Sequence, residues 1–303
     1  MSTYKASLSA GDFPSAKRAR RFDAFPYLLL LPSLLLIALI NLYPFATGFW
    51  YSLQDGTLLQ TGSFVGLTNY IQLFAKSDFI HALWFSAIFA IFSVFGSWAL
   101  GLALALLLNL DVPARGFFRV SLLLPWIIPS IVSIVSWRWL ISDQTGLVNI
   151  ILGWFGIGPI YFLSTGSLAT FSVIVVKIWR SFPFMMLSLL AALQTINREL
   201  YEASAIDGAG RWQTFRYIVL PQLMPLSIVL WILMTIWSVN DFETPWLLTQ
   251  GGPSNATENL SVLAYRYTFN RSDLGTGAAI AFFTMLVLMI FAIGLLRRQR
   301  SEV

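Results

Sequence analysis

Six long apolar segments dominate the chain, and they limit its folds more than any other feature. A helix needs roughly 20 mostly apolar residues to cross a hydrocarbon core about 30 Å thick. The six run from about Phe25 to Trp50, Ile80 to Leu108, Val120 to Ile141, Leu168 to Leu193, Gln222 to Leu248 and Leu274 to Leu296. The first sits in a stretch free of charge from Ala24 to Gln54. A backbone in lipid must satisfy its own hydrogen bonds, so six helical spans are expected. The expected fold class is an all-α polytopic membrane protein. Pro26, Pro32 and Pro44 in the first span and Pro125 and Pro129 in the third are expected to cause kinks of the kind membrane helices tolerate.

Composition agrees. Of 303 residues, 57% are hydrophobic and 11% charged, against about 25% charged in an ordinary soluble domain. The net charge of +5 is small and scattered, which argues against a nucleic-acid partner. With no cysteine and a single histidine, His81, thiolate chemistry and histidine-rich metal sites are excluded. The first 23 residues are polar and no small-residue cleavage site follows, so residues 1–24 read as a cytoplasmic segment and the first span as a retained anchor.

Lys and Arg set the orientation. Thirteen of the nineteen lie on one side: Lys5, Lys17, Arg18, Arg20 and Arg21 before the first span, Arg115 and Arg119 after the second, Arg198, Arg211 and Arg216 after the fourth, and Arg297, Arg298 and Arg300 after the sixth. Only Lys76, Arg266 and Arg271 lie opposite. Both termini and the loop of residues 194–221 are therefore expected in the cytoplasm. Outside, Leu147 to Ile157 is too short to span and reads as a half-inserted segment, and Gly251-Gly252-Pro253 marks a turn.

The remaining cations are inside spans. Arg138, between Trp137 and Trp139, reads as a snorkelling side chain in an aromatic belt. Lys177 and Arg180 share one face of the fourth span, and Asp241 and Glu243 lie in the fifth. Ionisable groups at such depth cost about 2.5–3.5 kcal/mol on insertion scales and mark functional candidates. Two residues apart on a continuous helix, the acids point in different directions, so at most one is expected to face the cavity of Lys177. Pro245 is expected to loosen that helix. Trp126, Ser130, Trp179, Ser181, Phe184, Trp237, Ser238 and Asn240 supply aromatic faces and hydrogen-bonding groups at similar depth, the chemistry of a sugar pocket. A structural ion-pair network is the competing reading, and the two can coexist.

The cytoplasmic loop is the most specific motif. Asn197 is placed as an N-cap, Glu199 and Glu202 sit in the first turns, and Ile196 and Tyr201 have hydrophobic-staple spacing. Gly208 and Gly210 end this helix, and a second starts at Arg211 and runs to Ile218-Val-Leu220-Pro221. The apolar side formed by Leu200, Ala203 and Ile206 needs a partner. Glu202-Ala203-Ser204, then Gly208, then Ile218-x-Leu220-Pro221 resembles the "EAA" loop of importer-type ABC permeases, with Ser204 at the third motif position. The resemblance covers roughly residues 25–300 and is closest to sugar importers of the MalF/UgpA type.

That resemblance implies the type I importer permease fold and a multi-pass protein of the bacterial cytoplasmic (inner) membrane. It implies a second permease subunit as heterodimer partner, two ABC ATPase subunits, an extracytoplasmic solute-binding protein and a sugar-like substrate: a di- or oligosaccharide, polyol or sugar phosphate. Glu202, Ala203, Ser204, Asp207 and Gly208 would form the ATPase-coupling contact. Substrate contacts would come from Trp126 and Ser130 in Pro125-Trp126-Ile-Ile-Pro129-Ser130, from Lys177, Arg180, Ser181 and Phe184, and from Trp237, Ser238 and Asp241 before Leu247-Leu248-Thr249-Gln250-Gly251-Gly252-Pro253. The maltose-type pocket is largely neutral at the positions of Lys177, Arg180 and Asp241, so a charged substrate and a neutral sugar beside a self-neutralised pocket both stay open. None of Lys5, Lys17, Lys76 and Lys177 lies in a P-loop, so no cofactor is expected in this chain and ATP with Mg belongs to the partner ATPase. The chain is not expected to be an enzyme. An ion-coupled secondary carrier using Asp241 or Glu243 is the alternative, but it gives the cytoplasmic loop no purpose.

Overall fold

The computed structural model describes residues 25–111 and 113–301; residues 1–24, the expected cytoplasmic segment, lie outside them. The described residues are almost wholly helical, with two isolated bridges and no strand. The chain divides into two units, residues 1–47 and 48–303.

In the first unit, α1 (Phe25–Ile37) passes through a π-helical turn at Ala38–Leu42 into α2 (Tyr43–Ser52). The widened turn ends two residues before Pro44. Pro44 has no N–H to give the carbonyl four residues back and its ring crowds that carbonyl, so the helix loosens instead of breaking.

The second unit continues with the short α3 (Thr68–Leu73) and the long α4 (Ser77–Asn109). Then come α5 (Arg115–Ile127), α6 (Ser130–Leu140), α7 (Leu147–Trp154) and α8 (Gly166–Leu193). The loop of residues 194–221 holds α9 (Arg198–Ile206) and α10 (Arg211–Thr214), and α11 (Leu220–Val239) follows a π-helical turn at Phe215–Val219. That turn again ends two residues before a proline, Pro221. Finally come α12 (Glu243–Thr249), α13 (Leu260–Tyr265) and α14 (Leu274–Ser301).

Helices α4 and α8 form the most extensive contact. Without a hydrophobic force between helices in lipid, close approach through small residues provides the packing. A Cβ at Gly101 would stand 2.7 Å from Met185 Cβ and 2.8 Å from Met186 N, so the two backbones nearly touch there. Leu102, Ala105, Met185, Met186, Leu189 and Leu223 continue this core toward the cytoplasm, where α11 joins it.

Two expected spans are not continuous. The third breaks between α5 and α6 with a bend of 93°. Ile128, before Pro129, is extended at φ −65°, ψ 131°, because a proline disfavours the helical region for its predecessor. This exceeds a kink, and Trp126 and Ser130 fall on opposite sides of it. Among the described residues five helices are long and apolar enough to span, and the bent pair makes a sixth if it counts as one span. The expected fifth span ends at Val239, and α12 is separate. A continued helix would need an N–H from Pro245 to Asp241 O, which proline lacks. Asn259 Nδ2 takes that carbonyl instead, at 2.6 Å.

The candidate substrate cavity and coupling loop

The fifth-span break decides how the site is built. Asp241, freed from a helix, caps the first turn of α12: its Oδ1 accepts from Thr244 N at 3.0 Å and its Oδ2 from Thr244 Oγ1 at 2.7 Å. The same Oδ2 accepts from Lys177 Nζ at 2.7 Å, with both side chains nearly excluded from solvent. Three residues further along α8, Arg180 Nη1 donates to Thr244 Oγ1 at 3.1 Å. Its Nη2 lies 3.9 Å from Glu243 Oε2, on a side chain that is 50% exposed. Asp241 and Glu243 therefore both reach the cations of α8, against the expectation for one continuous helix. The two cations are not equal. Lys177 has a buried counter-charge in hydrogen-bonding contact, and Arg180 has a distant and half-exposed one.

Beside these groups lies a cavity of about 180 Å³ lined by Trp126, Lys177, Arg180, Ser181, Phe184, Met234 and Trp237. Phe184 is its aromatic hinge, with ring centroids 5.8 Å from Trp126 and 5.1 Å from Trp237. Six of the nine residues named from sequence thus surround one space. The other three do not line it. Ser130 is beyond the α5–α6 break, with its carbonyl accepting from Ser133 Oγ. Ser238 is fully buried and its hydroxyl has no partner. Asp241 stands behind Lys177. Trp179 packs edge-on against Trp137 at 5.4 Å, and Asn240 turns back to Ile236 O. Arg138 is exposed, as its snorkelling requires, and Nη1 reaches Leu247 O at 3.4 Å.

Met234 and Thr244 were missed from sequence. Met234 precedes Trp237 by three residues, close to one helical turn, which places both on one face. Thr244 follows Asp241 at the spacing of a helix cap, and this was the available signal.

On the outer side, residues 250–273 fold over the break. Arg266 holds Gln250 O and Asn255 Oδ1 at 2.8 Å each, and its Nη1 comes within 3.0 Å of Glu258 Oε1 without forming a hydrogen bond. Glu258 is 1% exposed, and burial, opposed by Arg266, leaves its carboxyl above the ordinary 4.5. Tyr267 and Arg271 both bond Asp78 Oδ2, at 2.9 and 3.0 Å.

In the loop of residues 194–221, Asn197 Oδ1 accepts from Glu199 N at 3.1 Å and caps α9 as expected. Helix α9 ends in a Schellman turn: Gly208 N bonds Ala205 O and Ala209 N bonds Ser204 O, with Gly208 at φ 77°. Ile196 and Tyr201 pack on the core that joins α4 and α8. Glu202, Ala203, Asp207 and Gly208 are all exposed, and Glu202 pairs with Arg198 at 3.2 Å. Ser204 faces inward, is 8% exposed and bonds Tyr201 O at 2.8 Å. Ile206 is 86% exposed, so among the described residues this apolar side chain of α9 has no cover.

Known proteins resemble this chain along most of its length. The chain is 38% identical over 275 residues to the trehalose/maltose transport system permease protein MalF of Thermococcus litoralis, covering 90% of this chain and 93% of that one. It is 36% identical over 259 residues to the sulfoquinovosyl glycerol transport system permease protein SmoG of Agrobacterium fabrum, covering 84% and 83%. Among solved structures, a bacterial alginate ABC transporter in complex with an alginate pentasaccharide-bound periplasmic protein matches with a TM-score of 0.79 and 26% identity, over 92% of this chain and 95% of the other. Residues 97–301 match the family model of binding-protein-dependent transport system inner membrane components, and this multi-pass chain belongs to that family.

Proposed function

We propose that this chain is a permease subunit of an ATP-driven importer, and that the cavity beside Lys177 and Arg180 carries a sugar or sugar-like solute delivered by an extracytoplasmic binding protein. One observation carries the reading. Helix α8 holds Lys177, Arg180, Ser181 and Phe184 in the cavity wall and runs on through Gln194–Asn197 directly into α9. Only about 14 Å of helix separates Phe184 from Leu193 at 1.5 Å per residue. A displacement of α9 is therefore delivered to the cavity through a stiff element.

The uncovered face of α9 is the docking site for a separate ATPase subunit in this reading. Glu202, Ala203, Asp207 and Gly208 meet the partner, and Ser204 keeps the loop's shape from inside. Nucleotide and Mg sit on that partner. Closure of an ATPase pair moves α9, and the spans open toward the outside to receive solute. A second permease completes the pathway. Trp126, Phe184 and Trp237 offer ring faces to the apolar side of a sugar, and Ser181 with the cationic groups offers hydrogen bonds to its polar edge. The names of the relatives, trehalose/maltose, sulfoquinovosyl glycerol and alginate, support a carbohydrate.

Uptake into vesicles tests this directly. Transport by the assembled complex should require ATP and persist when ion gradients are collapsed. Gradient-driven uptake by this chain alone would refute it in favour of a secondary carrier using the buried acid.

A further inference from the structure

We infer that the cavity selects a sugar bearing an acidic group, such as a carboxylate, sulfonate or phosphate ester, and that Arg180 is the residue that recognises it. The inference deepens the proposed import function and rests on it for the place of the solute.

The protein divides its own acids unequally between the two cations of α8. Asp241 is fully committed: Lys177 and both donors of Thr244 occupy its two oxygens, at 2.7–3.0 Å. Lys177 thus brings its own counter-ion and adds no net charge to the cavity. Arg180 differs in each respect. Its side chain is 19% exposed. Among the described residues its one hydrogen bond goes from Nη1 to a neutral hydroxyl. The nearest carboxylate, Glu243, is 3.9 Å away and half in solvent, a geometry that contributes little. A guanidinium has five N–H donors in a fixed fork. Nη2 and Nε make no hydrogen bond, yet neither is among the buried unsatisfied atoms, so they open onto space. Arg180 itself lines the cavity. A largely buried guanidinium with free donors matches a planar or tetrahedral oxyanion, to which it can bond bidentately.

The remaining lining fits the rest of such a solute. Trp126, Phe184 and Trp237 form a nearly continuous aromatic wall with centroid spacings of 5.8 and 5.1 Å. A pyranose resting on these faces would turn its acidic substituent toward Arg180. A neutral sugar would displace water from Nη2 and Nε without giving them a charged acceptor, and a site whose donors a ligand covers but cannot satisfy discriminates against that ligand.

The test is a titration of the purified importer, without binding protein, followed by tryptophan fluorescence, since Trp126 and Trp237 line the site. The probes are a disaccharide ending in a uronic acid and the same disaccharide with that carboxyl reduced to the alcohol. The acid is expected to bind roughly ten- to a hundredfold more tightly, the range for a charged hydrogen bond. Arg180→Gln should erase that preference, and Arg180→Lys should keep part of it. Equal affinity for the two probes, tighter binding of the neutral one, binding of neither, or a preference that survives Arg180→Gln would overturn the inference. ATP-driven uptake that favours the neutral probe would overturn it too while leaving the import function standing. Uptake driven only by an ion gradient would remove the import function itself.

Discussion

Asp241→Asn is the perturbation that best tests the site's electrostatics. The Lys177–Asp241 pair is 2.7 Å long, with side chains 10% and 6% exposed. At an effective dielectric near 20 the gross attraction is about 6 kcal/mol. Desolvation of the two ions offsets most of it, so the intact pair adds little net stability. Removing one partner is different, because the other stays buried and charged. Asp241→Asn should cost about 3–5 kcal/mol. Lys177→Met should cost less, about 2–3 kcal/mol, because Asp241 keeps two bonds from Thr244. In the double variant no charge is stranded, and its loss should fall short of the summed single losses by about 3 kcal/mol. Reversible unfolding of the purified chain in mixed micelles of rising SDS content measures all four forms. ATP-driven uptake, measured in parallel, should fall in Asp241→Asn and recover partly in the double variant. Additivity within about 0.5 kcal/mol would refute the pairing, because independent sites add to that accuracy.

Three further outcomes follow from the geometry. Gly208→Val forces a β-branched residue to φ 77° at about 1–2 kcal/mol, and should lower solute imported per ATP hydrolysed; Gly208→Asn, which tolerates this conformation, should be milder, and an equal loss would mean that crowding at the partner face decides. Gly101→Leu should lower the SDS unfolding midpoint by the equivalent of about 1–3 kcal/mol, because its Cβ would meet Met185 and Met186 below 3 Å, whereas Gly294→Leu, facing open space, should be silent. For Glu258 the folded state binds the proton more tightly than the unfolded state, since burial raises the carboxyl above 4.5. Stability should therefore fall as pH rises from about that value through the folded pKa, and Glu258→Gln should flatten this part of the pH profile; a wild-type profile already flat there would contradict the assignment.

The loop helix α9 was readable almost residue by residue. Its signals are local: a cap at Asn197, a left-handed stop at Gly208, and apolar spacing at Ile196 and Tyr201. The cavity was readable only as a set of candidates. Trp126, Lys177, Arg180, Ser181, Phe184 and Trp237 meet as the motif spacing implied. Ser130 and Ser238 do not, because a break of 93° and the turn of roughly 100° from Trp237 to its neighbour Ser238 are invisible to hydropathy. Pro125 and Pro129 announced that something happens in the third span without saying how much. The size of the bend depends on which groups receive the freed backbone, and those come from elsewhere in the chain.

The sequence by itself determined the all-helical membrane fold class and the helix–turn–helix of residues 194–221. Lipid permits few backbone states, and the caps and stops of that loop are local in sequence. Tertiary structure alone decided the charge assignment. Lys177 and Asp241 are 64 residues apart, and they meet because Asn259 takes the Asp241 carbonyl and lets α12 start afresh at Glu243. In an unbroken helix Asp241 and Glu243 would diverge. The break aims both at α8, gives Lys177 its partner and leaves Arg180 facing the cavity with donors to spare.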